Sequence, residues 1–513
     1  MTRQISKARK ADYEAPTETD DGKVKDWAVL IYLGGENNLY DEMVFAVKEM
    51  KSSVHVPKPR PQRGPGPEFN FHALVQFAGE ETSRPSSAFP LPRRLILKPG
   101  DDGLGNDVVP PPKPPSEQVQ KPPSPIEDYK KELIDFLVWG ISTGKARNYM
   151  VIFSGHGLGI ESDFLTKDST PPQSLTVKDL RDVLGNGRVK AALKKVGKKT
   201  IDILGLDSCL MAMAEVGYEL RNEVPLMIAS QGSQANLGWP YKTIFASLHD
   251  NPKASAEDLS IEIVRNFVAY YDDFSCAADS SADISAFRLR DDKNKHRYME
   301  DVKKAVDSLA VVFLDIIRAT DYEKIKWNPA ANDFAKSLIF AHWYGQTYHS
   351  DQYADISDLC NVLTNNLPHD GPDSGKYEVI RKRCKLVREK VDACIIGTVA
   401  RRFSGPLYQY SHGLSIYFPW SDIYKLYRAD NLDFLKYGNW YEFVEAYIKF
   451  TRRPPKETED IFDRYQGSKD SPPRSKGIDD PSTRAKNPPS LWKSADGKYF
   501  CKIKPSLPPD PPE

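Results

Sequence analysis

The chain has 513 residues, with 71 Lys plus Arg set against 71 Asp plus Glu, so its formal net charge is zero. That balance argues against broad electrostatic attachment to nucleic acid or to anionic membranes. The hydrophobic content of 40% supports a large core, and the length suits two to four domains or one large enzyme with insertions. No stretch approaches the ~18 apolar residues of a transmembrane helix. The N-terminal "MTRQISKARKADYEAPTETDDGK" has no apolar run behind its basic residues, so it does not read as a secretory signal. The cysteines (Cys209, Cys276, Cys360, Cys384, Cys394 and Cys501) form no CxxC pair, which predicts reduced thiols and a cytoplasmic protein.

Residues 1–26 are polar and aperiodic and read as a disordered lead. "WAVLIYL" (27–33) is a continuous β-branched and aromatic run stopped by Gly34-Gly35, the pattern of a fully buried strand. "NNLYDEMVFAVKEM" then has helical spacing, with Leu39, Met43, Ala46, Val47 and Met50 on one face. "FHALVQFA" (71–78) is the second predicted strand. A proline-rich insertion follows at about 79–125, with a candidate hairpin at "RRLILK". "DYKKELIDFLVWGIST" returns to helical periodicity. "NYMVIFSG", "TIDILGL" and "PLMIASQ" are the third, fourth and fifth strands, with a helix at "CLMAMAEVGYELRNEV" before the last. This alternation predicts βαβ units and a parallel sheet. From 251 to 452 the pattern is more helical, with strands at "ADISAFRL" and "GLSIYFP". From 453 to 513 the chain is charged and proline-rich, and it reads as a disordered tail.

Two strands end in reactive residues. His156 follows "VIFSG" and Cys209 follows "ILGLDS". Ligands of an open parallel sheet bind beyond the carboxyl ends of its strands, so the two residues share an edge if both strands are parallel. Gly155 and Gly157 allow a sharp turn and close backbone approach. The backbone N–H groups of Gly157 and Cys209 then form a candidate oxyanion hole. A helix starting near Cys209 would favour its thiolate, with His156 activating the thiol or protonating a leaving amine. The competing reading is a buried cysteine acting as a small hydrophobe, beside a histidine satisfied by its neighbours.

These residues resemble a known family. "FSGHG" followed about fifty residues later by "LDSCLM" is similar to the clostripain family of cysteine peptidases, in the caspase-like group, and the spacing fits the His-then-Cys order given for caspases. The Gln-Ala-Cys caspase signature is absent. "WAVLIYLGGENNL", "ASQGSQANLGWPY", "YADISDL" and "HGLSIYFPWS" resemble further landmarks of the family, and the likeness runs from about Trp27 to Phe450. It implies Cys209 as nucleophile, His156 as its partner and cleavage after Arg or Lys. It also implies that Asp207 serves the specificity pocket, and a buried carboxylate does suit an arginine fork. The alternative for Asp207 is a helix cap. Family members cut themselves between His and Cys. "IESDFLTKDSTPPQS" therefore reads as an exposed loop with Lys167 as the self-cleavage candidate, and Lys178, Arg181 and Arg188 as competitors. Gln231 is a candidate substrate contact or a loop tie, and Trp239 a candidate pocket wall or a packing residue.

The expected fold is α/β: a caspase-like three-layer sandwich with a mainly parallel sheet and helices on both faces. Its catalytic core spans 27–250, with a more helical subdomain over 251–452. The expected function is a cysteine endopeptidase acting on protein or peptide substrates with Arg or Lys at the cleaved bond. No nucleic acid or membrane partner is expected, and the oligomeric state is unknown. No cofactor is expected, since the chain has no EF-hand loop and no zinc-ligand spacing, although calcium dependence is not readable from the residues. The rivals are a non-catalytic caspase-like scaffold that binds peptides or partners, and a different thiol enzyme, a transferase or amidase, on the same dyad.

Overall fold

Trp27 to Leu33 are wholly buried, one after another, with no alternation between faces. Such a run cannot lie on a half-solvated sheet and is stable only with cover on both sides. The computed structural model describes residues 24–54, 68–79, 93–100, 125–161, 164–168, 172–278, 281–319, 333–397 and 401–451, together with the short strands Leu491–Lys493 and Tyr499–Cys501. The expectations for the N-terminal lead, and for most of the 79–125 insertion and the tail, fall outside the described residues.

In chain order the strands are β1 (Lys25–Gly35), β2 (His72–Gly79), β3 (Arg93–Ile96), β4 (Ala146–Ser154), β5 (Phe164–Lys167), β6 (Gln173–Leu175), β7 (Ile203–Asp207), β8 (Leu226–Ala229), β9 (Ala282–Arg288), β10 (Thr347–Tyr348), β11 (Tyr353–Asp355), β12 (Arg401–Ser404) and β13 (Ser415–Tyr417). An eight-stranded sheet takes the order β12-β9-β8-β7-β4-β1-β2-β3. The strands from β8 through β7, β4 and β1 to β2 are parallel. β3 and β9 join antiparallel at either side, and β12 pairs antiparallel with β9. The candidate hairpin at "RRLILK" is in fact the edge strand β3, zipped onto β2. β9 and β12 come from the more helical portion beyond 251, yet they complete the same sheet.

Helices pack on both faces. Tyr40–Ser52, Tyr241–Asp250 and Ala256–Ala278 succeed one another on one face, while Pro125–Thr143 carries Val177–Leu184 and Gly187–Lys195 on the other. The expected caspase-like layering is therefore what the chain adopts. Strand order reverses between β1 and β4, because the chain runs from β1 outward to β2 on one side and from β4 outward to β7 and β8 on the other. Such a switch point opens a crevice at the carboxyl ends of the two strands. Over this edge lies a small antiparallel sheet, β10-β11-β13, tied to the main body by a bridge between Met213 and Ser415.

Candidate active site

β4 and β7 end side by side, with Ser154 opposite Asp207. The Gly155 N–H donates to the Asp207 carbonyl at 3.1 Å, and the Ser154 hydroxyl donates to Asp207 Oδ2 at 2.7 Å. The two turns that follow touch. A Cβ added at Gly157 would lie 2.7 Å from the Cys209 carbonyl oxygen and 2.8 Å from Ser208 Cβ. The glycine after His156 is therefore needed because the Cys209 turn occupies the space a side chain would fill. Gly157→Ala is expected to force the two turns apart, at a cost of about 1–3 kcal/mol. Thermal unfolding together with peptidase turnover checks this: native stability with full turnover would show that the turns are not in contact.

His156 is partly buried. Its carbonyl accepts from Leu165 N at 2.9 Å, and its Nε2 lies 2.7 Å from Asn38 Oδ1, on the loop that leaves β1. Cys209 is also partly buried, and its Sγ accepts from the Gln234 N–H at 3.2 Å. Burial pushes the Cys209 thiol above its ordinary value. The Gln234 N–H pulls it back, and the carboxyl of Asp207 raises it further.

This reverses the expectation of a thiolate favoured by a helix end. The helix predicted from "CLMAM" begins only at Ala214. Residues 210–213 instead run between two strands, with Ala212 N donating to Ser230 O and Ala212 O accepting from Ser415 N. Leu210, buried directly after the cysteine, takes a left-handed φ of 64°. That conformation strains a residue with a side chain by about 1–3 kcal/mol. The turn is held by the Leu210 N–H, which donates to Gly232 O.

Asp207 caps no helix. It is almost wholly buried, and Oδ2 accepts from Tyr241 Oη at 2.8 Å as well as from Ser154. Oδ1 has no hydrogen-bond partner among the described residues. Burial raises the carboxyl from 3.8 to about 6, against the pull of the Ser154 and Tyr241 hydroxyls. The "GWPY" stretch wraps this carboxyl. Gly238 has a φ of +68° and stands so close that a Cβ there would be 2.8 Å from Oδ2. Trp239 is fully buried against Gly205 of β7, so of its two expected roles the structure shows packing.

Two sequence expectations are corrected. Gln231, a candidate substrate contact, is fully buried. Its Nε2 donates to Asp355 at 2.9 Å and its Oε1 accepts from Gly413 N at 2.7 Å, which commits both ends of the amide. Its backbone N–H is taken by Asp283, so the residue ties the end of β8 to its surroundings. Lys167 does not lie on an exposed loop. It ends β5, which pairs with β6, and its Nζ sits between Glu132 at 2.8 Å and Glu36 at 3.0 Å, over the Tyr129 ring. Polar composition predicted exposure, but two distant carboxylates and an aromatic face supply the cover. Lys178 and Arg181 lie on the helix Val177–Leu184, where Arg181 pairs with the buried Glu219. Arg188, half exposed and paired with Asp135, opens the next helix.

Sequence reasoning missed Asn38 as the partner of His156 and Gln234 as the partner of Cys209. It also missed Tyr408, whose hydroxyl accepts from Ser233 N at 3.0 Å beside the Cys209 loop. "GGENNL" resembles a family landmark, but nothing local ties its asparagine to a histidine 118 residues away. Among the described residues no group of three or more His, Cys, Asp or Glu is placed to hold a metal. None of the described helices is long and apolar enough to cross a membrane.

The sequence profile of the clostripain family, peptidase C11, matches residues 128–445, more than half of the chain. The chain belongs to the clostripain family. It is thus a cysteine peptidase. A search of curated proteins finds no match. Among solved structures, this clostripain-family chain is similar to a secreted C11 cysteine protease from Bacteroides thetaiotaomicron in complex with an irreversible peptide inhibitor. The identity is 14% and the TM-score 0.48, covering 82% of this chain and 99% of that one. It is also similar to an inactive zymogen C11 protease from Parabacteroides distasonis, at 17% identity and a TM-score of 0.45, again covering 82% and 99%. These likenesses accompany the family match and assign no residue of the clostripain-family chain described here.

Proposed function

We propose that this clostripain-family peptidase cleaves after Arg or Lys by a Cys209/His156 dyad, with Asp207 reading the basic side chain. The observation that supports the reading is the contact between the Gly157 and Cys209 turns, which leave the neighbouring ends of β4 and β7. Burial raises the Cys209 thiol, which supports proton removal by His156 during attack rather than a standing thiolate. His156 therefore takes the thiol proton as Sγ attacks the scissile carbonyl. The Gly157 and Cys209 N–H groups hold the resulting oxyanion. The imidazolium then gives its proton to the leaving amine as the C–N bond breaks, leaving a thioester on Cys209. Water activated by His156 adds to the thioester, and the acid product departs as the proton returns to sulfur.

Asp207 supports basic specificity because it is a carboxylate two residues before Cys209 whose Oδ1 makes no hydrogen bond among the described residues, with Gly238 packed against it in this conformation. A buried carboxylate of this kind suits a bidentate guanidinium or an ammonium. Self-processing between β4 and β7 belongs to the same proposal, but the carboxylate clamp on Lys167 speaks against that lysine as the bond presented in this conformation. The lack of any CxxC pair in the sequence supports a reducing compartment such as the cytoplasm, whereas one of the similar structures is described as secreted.

The test is turnover of fluorogenic peptides ending in Arg, Lys, Asp or Leu, with terminal sequencing of the same preparation. Cleavage confined to Arg and Lys peptides is the expected result. Equal cleavage of Leu or Asp peptides overturns the specificity. An intact chain at full activity overturns self-processing as the activating step.

A further inference from the structure

We propose that Asn38 is the positioning residue of His156, fixing the imidazole proton on Nε2 so that Nδ1 is the nitrogen offered to the Cys209 thiol. The inference rests on the dyad reading above and adds to it the origin of the histidine's orientation.

The argument starts from one bond and the frame around it. His156 Nε2 lies 2.7 Å from Asn38 Oδ1. An amide oxygen only accepts, so with Oδ1 turned toward the ring the proton belongs on Nε2, and a neutral imidazole with Nε2–H has its lone pair on Nδ1. A ring that must first take a proton from sulfur and later return it to an amine works only in that tautomer and only if it does not rotate away. Partners that hold the far nitrogen of a functional histidine do this work by fixing the ring.

A single exposed asparagine would be a weak anchor if its loop were free, but the loop is fixed on both sides. Asn37 Nδ2 donates to Gly34 O at 3.2 Å and to Thr166 O at 2.7 Å, and its Oδ1 accepts from Leu39 N at 2.9 Å. Glu36 O accepts from Asp168 N at 2.8 Å, and the Glu36 carboxylate pairs with Lys167. Leu165, on the same short strand, donates its N–H to His156 O. β5 is therefore a brace. Leu165 grips the His156 turn, while Thr166, Lys167 and Asp168 grip the turn that carries Asn38. The two ends of the imidazole contact are set by one piece of backbone, which explains why Lys167 is clamped rather than exposed.

The test compares Asn38→Leu, which keeps volume and removes the acceptor, with Asn38→Asp, which keeps the acceptor. Steady-state kinetics are run on whichever peptide the wild type cleaves, and Cys209→Ala is assayed beside them. Asn38→Leu is expected to lower kcat about 10- to 100-fold with KM little changed. Asn38→Asp is expected to recover most of that loss. Side-chain 15N spectra, with the His156 signals assigned by their loss in His156→Ala, are expected to show the Nε2–H tautomer in the wild type and a mixture in Asn38→Leu. Circular dichroism melts confirm that the variants are folded. An unchanged kcat in folded Asn38→Leu beside an inactive Cys209→Ala overturns this proposal and leaves the dyad standing. An Nδ1–H tautomer in the wild type overturns it equally. Full turnover in Cys209→Ala overturns the dyad and this proposal together.

Discussion

Cys209→Ala is expected to lower kcat/KM on basic peptides by at least about 10⁴-fold, the scale seen when a covalent nucleophile is removed while binding and oxyanion groups stay in place. The loss should be almost entirely chemical. Cys209 is partly buried, and its sulfur accepts one backbone N–H, from Gln234 at 3.2 Å. Losing that acceptor costs about 1–3 kcal/mol at most, so the variant should fold and still bind substrate. His156→Ala should fall nearly as far, and the double variant little further, because two members of one unit do not add. The comparison is made by steady-state kinetics on matched preparations, with peptide binding to Cys209→Ala measured by calorimetry. Activity above about a tenth of wild type in either single variant would remove these residues from the chemistry.

The second large effect belongs to Asp207→Asn, and it has two opposite parts. On Arg and Lys peptides kcat/KM should fall about 100-fold or more, since removing one partner of a desolvated ion pair costs about 2–5 kcal/mol. Stability should move the other way. The Asp207 carboxyl titrates at about 6 in the fold against 3.8 unexposed to the fold's burial, so the fold favours its protonated form. The cost of holding it charged is absent below pH 4, grows between 4 and 6 and is complete above 6. Two units correspond to about 3 kcal/mol. Asparagine bears no such cost, and its Oδ1 can take over the bonds from Ser154 and Tyr241. The variant should therefore match wild type near pH 4 and exceed it by up to ~3 kcal/mol at pH 8. The free carboxylate is also the form that receives a cation, so wild-type kcat/KM on basic peptides should decline as pH falls through about 6. Denaturant melts across the pH range and a pH–rate profile read both parts. Stability curves that stay parallel from pH 4 to 8 would mean that the carboxyl is not held charged against burial.

The five parallel strands were legible because burial on both faces leaves no room for polar residues. "WAVLIYL", "VIFS" and "ILGL" each show that constraint without reference to any other part of the chain. His156 and Cys209 were legible for the same reason, since a reactive residue at the end of such a run has one edge to occupy. What escaped was set by contacts across the sequence. The helix after Cys209 was misplaced because Ala212 is drawn into pairing with Ser230 and Ser415. Lys167 was misjudged because its carboxylates come from positions 36 and 132. Gln231 reads as a strand-end polar residue until Asp355 and Gly413 arrive from more than a hundred residues later. The place of Asp207 at the end of β7 was legible, but its raised carboxyl was not, because that depends on how closely Gly238 and Trp239 fold around it.

The pairing of Met150–Ser154 with Ile203–Asp207 is a seam. On one side lie β1 to β4 with the histidine, and on the other lie β7, β8, β9 and β12 with the cysteine and the acid beneath it. Covalently the two sides meet only through the chain that leaves β4 and re-enters at β7, whereas in space they share a strand interface buried throughout. A peptidase built this way is divisible. Two separately expressed halves, parted between β5 and β6, would each carry an incomplete crevice and no turnover, and mixing them would restore both the sheet and the reaction. The same seam means that a chain nicked there would run as two bands under denaturing conditions and as one molecule in native buffer.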